Sequence, residues 1–298
     1  MIKGLLRTMR THQWVKNLFV LAPFLYYELP RLQETGVLHR DKLVGALTGF
    51  ACFSLLASSV YVLNDLVDVD ADRAHPVKKN RPIASGAVST RSATIAMVIL
   101  VATAFGVGWL LGLLFLAALA GYLANNIAYS FGLKRVPYLD VLSIGLGFEL
   151  RVLAGSFAAD VPPSHYLLIV TFMLAMFLGL GKRMHELNQH QRSGSTNSRK
   201  VLERYNPNAV HLLLNGFGVG SVATYVVYTL DPTTREQFNT DYLVISSIFM
   251  LIGVVRFTHL VRNNPEAESP TEQMLKDVPF LVNGVLAALS LVLIVYLT

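Results

Sequence analysis

Residues Asn64–Asp72 read NDLVDVDAD, and this stretch decides the fold. It follows LVGALTGFACFSLLASSVYVL (43–63), a run long and apolar enough to cross a bilayer as a helix. It precedes RAHPVKKNRPIASG (73–86). Aspartates 65, 68, 70 and 72 therefore sit at the C-terminal end of a spanning helix. The helix dipole disfavours negative charge there.

Outward from that point the pattern repeats. The 298 residues are 53% hydrophobic and only 15% charged, against about 25% charged in a soluble domain. Nine apolar segments are candidate spans: 14–30, 43–63, 93–111, 113–130, 139–158, 165–181, 209–230, 242–261 and 278–297. The expected architecture is all-α, a polytopic membrane protein of one transmembrane domain (1–298). The first apolar segment lacks a small-residue cleavage site and reads as a retained helix. Cys52 lies within a span, which points to packing and leaves no disulfide framework.

Lys and Arg divide unevenly between alternate connections. Twenty lie on one side, four on the other, and Arg151 lies within a span. The positive-inside rule then places the N-terminus in the cytoplasm and the C-terminus outside. The same bias accounts for the net charge of +6 without invoking nucleic acid. A topogenic bias needs cations only, so the acids need another cause.

Asp65, Asp68 and Asp72 are spaced i, i+3, i+7 and share one face if the helix continues through them. Mg²⁺ would neutralise such a face, because it takes hard oxygen ligands and binds through one or two carboxylates plus substrate phosphates. Asn64 adds an amide at the same level, and Asp70 falls off the face. The plainer reading is a solvated helix end balanced by Arg73, Lys78 and Lys79. Ionisable groups at a membrane edge favour function. Lys78 and Arg81 offer donors to phosphate; topogenic charge also explains Lys78. Lys16 and Asn17 open the first span. Asn126 and Tyr129 share a face at the end of the fourth, with Lys134 after them. Asp140, Glu149 and Arg151 belong to the fifth, where Arg151 either lines a polar cavity or makes a buried salt bridge. Lys182, Arg183 and Glu186 end the sixth, and SRKVLERY brings Arg199, Lys200 and Tyr205. The histidines show no transition-metal spacing.

NDxxDxxxD (Asn64–Asp72) and YSxxLK (Tyr129–Lys134, YSFGLK) resemble the UbiA superfamily of intramembrane prenyltransferases along essentially the whole chain. The resemblance implies nine helices around a central cavity, with cytoplasmic caps holding Mg²⁺ and a pyrophosphate. A second acidic motif, DxxxD, is expected in that superfamily at the end of the sixth span. Here Lys182-Arg183-Met184-His185-Glu186 stands there. Together with QWVKN (13–17), LDVLSIGLGFELRVLAGS (139–156) and GKRMHEL (181–187), this is similar to the superfamily's decaprenyl-phosphate phosphoribosyltransferase branch. That branch implies transfer of 5-phosphoribose from phosphoribosyl pyrophosphate to a polyprenyl phosphate lipid, feeding cell-wall arabinan (arabinogalactan) in a bacterial inner (plasma) membrane. By this carry-over Asp65, Asp68 and Asp72 hold the metal. Asn64 and Lys134 join them at the catalytic centre. Lys16, Asn17, Lys78, Arg81, Asn126, Tyr129, Asp140, Arg151, Lys182, Arg183 and Glu186 contact substrate. A homo-oligomer is compatible with it. The alternative is an ordinary prenyltransferase acting on a prenyl diphosphate. A transporter would need ionisable groups spread through the spans, whereas here they gather at one edge.

Overall fold

A computed structural model describes residues 2–193, 201–263, 270–274 and 276–297, so Arg199 and Lys200 lie outside the described residues. The described backbone contains helices and no strand. In chain order the helices are α1 (Ile2–Met9), α2 (Ala22–Thr35), α3 (Arg40–Val67), α4 (Val69–Ala74), α5 (Thr90–Gly108), α6 (Leu113–Phe131) and α7 (Leu139–Ala158). Then come α8 (His165–Ser193), α9 (Pro207–Leu230), α10 (Pro232–Phe238), α11 (Ser247–Asn263), α12 (Pro270–Met274) and α13 (Val278–Leu297).

Among the described residues, eight helical stretches are long and apolar enough to cross a membrane. They coincide with the second to ninth expected spans. The first expected span (14–30) is not a continuous helix. A 3-10 helix covers Thr11–Val20, and α2 begins afresh at Ala22 with Pro30 inside it. Pro23 has no N–H to donate back to Phe19, and its ring clashes with that carbonyl, which disfavours an α-helix running in from residue 14 and suits a fresh start with Pro23 in the first turn of α2. The outer faces of α5 and α13 expose Ile95, Val98, Ile99, Val285 and Leu289, as helices surrounded by acyl chains require. The protein is a multi-pass membrane protein.

The chain divides into two compact units, one of residues 1–28, 38–133 and 147–163, the other of residues 29–37, 134–146 and 164–298. In the first unit α3 is the spine. Phe53 and Leu56 pack with Phe115, Leu119 and Tyr122 of α6 and with Ala154 and Ala158 of α7, with Cys52 buried among them. Small residues allow the closest approaches. A Cβ on Gly45 would stand 2.1 Å from the Ala158 carbonyl oxygen, and one on Gly155 would stand 2.0 Å from that of Val20. Both obstacles are backbone, so neither can rotate away. Gly155→Ala is expected to destabilise the protein by about 1–3 kcal/mol, read as a lower thermal midpoint in detergent. The second unit packs Phe177 and Leu180 of α8, Leu214 of α9, and Phe257 and Val261 of α11.

Candidate functional site

The first unit gathers its charge where α3 ends. Asp68 has φ −94° and ψ 8°, a slight break between α3 and α4. The helical hydrogen bonds nevertheless run on, from Asp68 N to Asn64 O (3.0 Å) and from Asp72 N to Asp68 O (2.8 Å). Asp65 and Asp72 are both 3% exposed, and Asp68 is half-buried between them. Asp70 points away, 90% exposed, and pairs with Arg73 at 3.2 Å.

The following loop brings cations back to these acids. Ile83 and Val88 are buried with Val62 and Ala93, and they anchor RPIASG beneath α3 and α5. Arg81, held extended by the proline after it, then reaches both carboxylates. Its Nη1 lies 2.6 Å from Asp72 Oδ2 and 3.2 Å from Asp65 Oδ1. Arg10 is a second partner, with Nη2 2.6 Å from Asp65 Oδ1. The sequence offered no signal for Arg10 beyond its charge, because its role depends on contact across 55 positions. Asn64 Oδ1 accepts from Ser130 at the end of α6, an interaction that engages the oxygen of its amide and not the nitrogen. Asn126 turns its amide onto its own helix, donating to Tyr122 O at 2.8 Å. Tyr129 is half-buried on the same helix. Lys16 is exposed, and Lys78 is half-buried.

Of the expected metal set Asp65, Asp68 and Asp72, the structure brings two carboxylates onto one cationic partner. Among the described residues no three His, Cys, Asp or Glu side chains gather as a metal-ligand group. Asp65 and Asp72 converge on one guanidinium nitrogen, and Asp68 lies beside them at the helix break. Two buried carboxylates that already share one cationic partner fit Mg²⁺, which uses one or two carboxylates and fills its remaining positions with water and phosphate.

Deeper in the same unit, Arg151 is 5% exposed. Its Nε donates to Asn17 Oδ1 (2.9 Å), Nη1 to Gly147 O (2.8 Å) and Nη2 to the Tyr122 hydroxyl (3.0 Å). The rings of Phe53, Tyr122 and Phe148 surround it at 4.8 to 5.2 Å. The partners that hold this cation are neutral groups, not the carboxylate of a salt bridge. Neutral acceptors and ring faces compensate its burial. Glu149 stays apart, with Oε1 buried and without a hydrogen-bond partner, because i and i+2 point to different sides of a helix. Asn17 also donates to Ser54 Oγ (3.1 Å), so Asn17 and Arg151 together link the 3-10 segment to α3 and α7. Both side chains are expected to contact substrate; among the protein's own groups they form this tie.

The second unit has a separate knot. Asp140 and Arg183 are 0% and 1% exposed, with Arg183 Nε 3.1 Å from Asp140 Oδ2. Arg183 Nη1 also pairs with Glu186 one turn along α8. Tyr205 donates its hydroxyl to Asp140 Oδ1 and accepts from Tyr138 N at 2.9 Å. Burial, reinforced by the Asp140 carboxylate, holds the Tyr205 phenol above its ordinary range. Arg183 and Glu186 were expected to meet substrate, as was Asp140. In the structure they form a buried ion cluster, in which the guanidinium is neutralised locally. Lys134 and Lys182 are half-buried in the same unit.

The profile of the UbiA prenyltransferase family matches residues 32–276. The chain is 32% identical to the decaprenyl-phosphate phosphoribosyltransferase of Mycolicibacterium smegmatis, over 93% of this chain and 87% of that protein. It is 29% identical to the enzyme of that name from Corynebacterium glutamicum, over 99% and 87%. Its fold is similar to that of a UbiA homolog from Archaeoglobus fulgidus bound to DMAPP and Mg²⁺. The TM-score is 0.63 at 19% identity, covering 91% of this chain and 96% of that one.

Proposed function

The chain belongs to the UbiA prenyltransferase family, and from that premise we propose that it transfers 5-phosphoribose from phosphoribosyl pyrophosphate to a polyprenyl phosphate, releasing pyrophosphate. The observation that carries this reading is the near full-length similarity to proteins named decaprenyl-phosphate phosphoribosyltransferase. The end of α8 is consistent with it, since Lys182-Arg183 stands where a diphosphate-binding prenyltransferase would carry a second pair of acids.

Asp65 and Asp72, with Asp68 beside them, would hold Mg²⁺. When bound, the ion supplies positive charge to a departing pyrophosphate. Arg81 adds donors to the same leaving group, and the Asn64 amide nitrogen offers a further one. In the reaction a lipid phosphate oxygen forms a bond to the anomeric carbon of the ribose. The bond from that carbon to the pyrophosphate oxygen breaks, and its electron pair leaves with pyrophosphate. The lipid phosphate is already anionic, so positioning is the main demand on the protein and no strong general base is required. Lys16, Lys78, Lys134 and Lys182 are candidates for the remaining phosphates. The split of twenty Lys and Arg against four supports a cytoplasmic location for the Asp65 cluster in a bacterial plasma membrane. The product would then feed arabinose donors for cell-wall polymer.

Purified protein with polyprenyl phosphate and Mg²⁺ is expected to convert labelled phosphoribosyl pyrophosphate into a phosphoribosylated lipid identifiable by mass. It should leave prenyl diphosphate unconsumed with aromatic acceptors. Turnover of the prenyl diphosphate alone overturns the assignment.

A further inference from the structure

Arg10 stands at an unusual point in the chain. It links α1 to the 3-10 segment with φ 50° and ψ 52°, the left-handed conformation that a side chain normally avoids. Neighbouring backbone bonds keep it there, from Arg10 N to Arg7 O (3.3 Å) and from Gln13 N to Arg10 O (2.8 Å). α1 itself is anchored. Leu5 packs on the buried cluster of Val62, Ile83, Val88 and Ala93, and Gly4 lies so close that a Cβ would stand 2.7 Å from Val88 Cγ2. A strained, anchored backbone carrying a long cationic side chain suggests that the direction of that side chain matters.

That direction is toward Asp65. Arg10 Nη2 is 2.6 Å from Asp65 Oδ1, and its guanidinium lies over the Tyr61 ring, 5.1 Å from the centroid. Arg81 makes its shorter contact with Asp72 and only a 3.2 Å contact with Asp65. Each buried acid therefore has its own arginine, and the four charges cancel. The partners differ in freedom. Asp65 is 3% exposed at the end of a rigid helix, whereas the Arg10 side chain is 27% exposed. The Arg10 head group, on the longer and more exposed of the two side chains, has more freedom to move than the Asp65 carboxylate. A divalent cation reaching Asp65 Oδ1 meets the Arg10 charge on the same oxygen, and like charges at that distance repel.

We propose that Arg10 is an exchangeable counter-ion: it neutralises Asp65 until a divalent cation takes that carboxylate, and it then turns to the pyrophosphate oxygens of the donor. The second half rests on the phosphoribosyl transfer reading; the first does not. The guanidinium fork suits both partners, a carboxylate before exchange and a diphosphate after it.

Mn²⁺ binding to the purified full-length protein without substrate, followed by electron paramagnetic resonance, tests the first half. Arg10→Gln is expected to bind Mn²⁺ about fivefold tighter than the parent, because one repelling charge is gone. Arg10→Lys keeps the charge and should stay near the parent value. Arg7→Gln, which removes a charge one turn earlier on α1, is the control and should also stay near it. The KM for phosphoribosyl pyrophosphate at saturating Mg²⁺ tests the second half. It should rise about tenfold in Arg10→Gln and less in Arg10→Lys. A purely structural defect would weaken metal and donor alike. Unchanged or weaker Mn²⁺ binding in Arg10→Gln overturns the exchange, as does equal tightening in Arg7→Gln. An unchanged KM overturns the pyrophosphate contact. Failure of the parent to use phosphoribosyl pyrophosphate at all would sink the proposed reaction while leaving the Mn²⁺ result standing.

Discussion

Asp65→Asn and Asp72→Asn are each expected to lower phosphoribosyl transfer by about 10³-fold, with Asp70→Asn staying within about twofold of the parent. The large effect follows from removing charge where charge develops. A site that stabilises a leaving pyrophosphate loses about 10²–10³ in rate for a single well-placed group, and a carboxylate that holds the metal controls more than one such interaction. An amide keeps the shape and one acceptor oxygen but gives up the negative charge. In Asp65→Asn it also leaves Arg10 without its carboxylate and Arg81 with only Asp72. Asp70 is 90% exposed and paired only with Arg73 at the surface, where an ion pair contributes little. Initial rates in matched detergent, with Mg²⁺ titrated for each variant, separate weakened metal binding from lost turnover. If Asp70→Asn fell as far as Asp65→Asn, bulk negative charge rather than a built site would explain the motif.

The sequence exposed the acidic side of this site because its information is local. Helical spacing places Asp65 and Asp72 together, and the structure carries the helical hydrogen bonds across the slight break at Asp68. The spans after the first were equally legible, since twenty apolar residues in a row admit few alternatives. The break ahead of Pro23 could have been read, because a proline inside a helix always costs a backbone hydrogen bond; the apolar composition of 14–30 masked it. The cations were harder. Arg10 looks like topogenic charge in the sequence, and Arg183 reads there as a substrate contact. Their partners lie 55 and 43 positions away, and no periodicity reports contacts at that distance. Arg151 shows a related difficulty. A charge within a span invites a search for an opposite charge, and Glu149 stands nearby in sequence. The actual partners are a carbonyl, an amide, a tyrosine hydroxyl and three rings, brought together by the packing of Asn17 and Tyr122 near α7.

The closed cluster of the second unit should give the largest stability effect. Arg183→Met leaves Asp140 fully buried without its counter-ion and is expected to cost about 3–5 kcal/mol. Asp140→Asn costs less, because Arg183 keeps Glu186 as a partner while Tyr205 can still donate to the amide oxygen. The double variant Asp140→Asn with Arg183→Met should then be more stable than Arg183→Met alone, since the uncompensated charge is removed along with its cause. This order distinguishes a structural knot from a phosphate site. If Arg183 served chiefly to hold a substrate phosphate, its removal would relieve crowded charge and leave the thermal midpoint in detergent unchanged or raised, while KM for donor or lipid phosphate rose. The buried geometry, with Asp140 at 0% and Arg183 at 1% exposure, makes the opposite demand. An anion reaching Arg183 would have to replace Asp140 or Glu186 and desolvate further, so the loss should appear first in folding and only secondarily in activity.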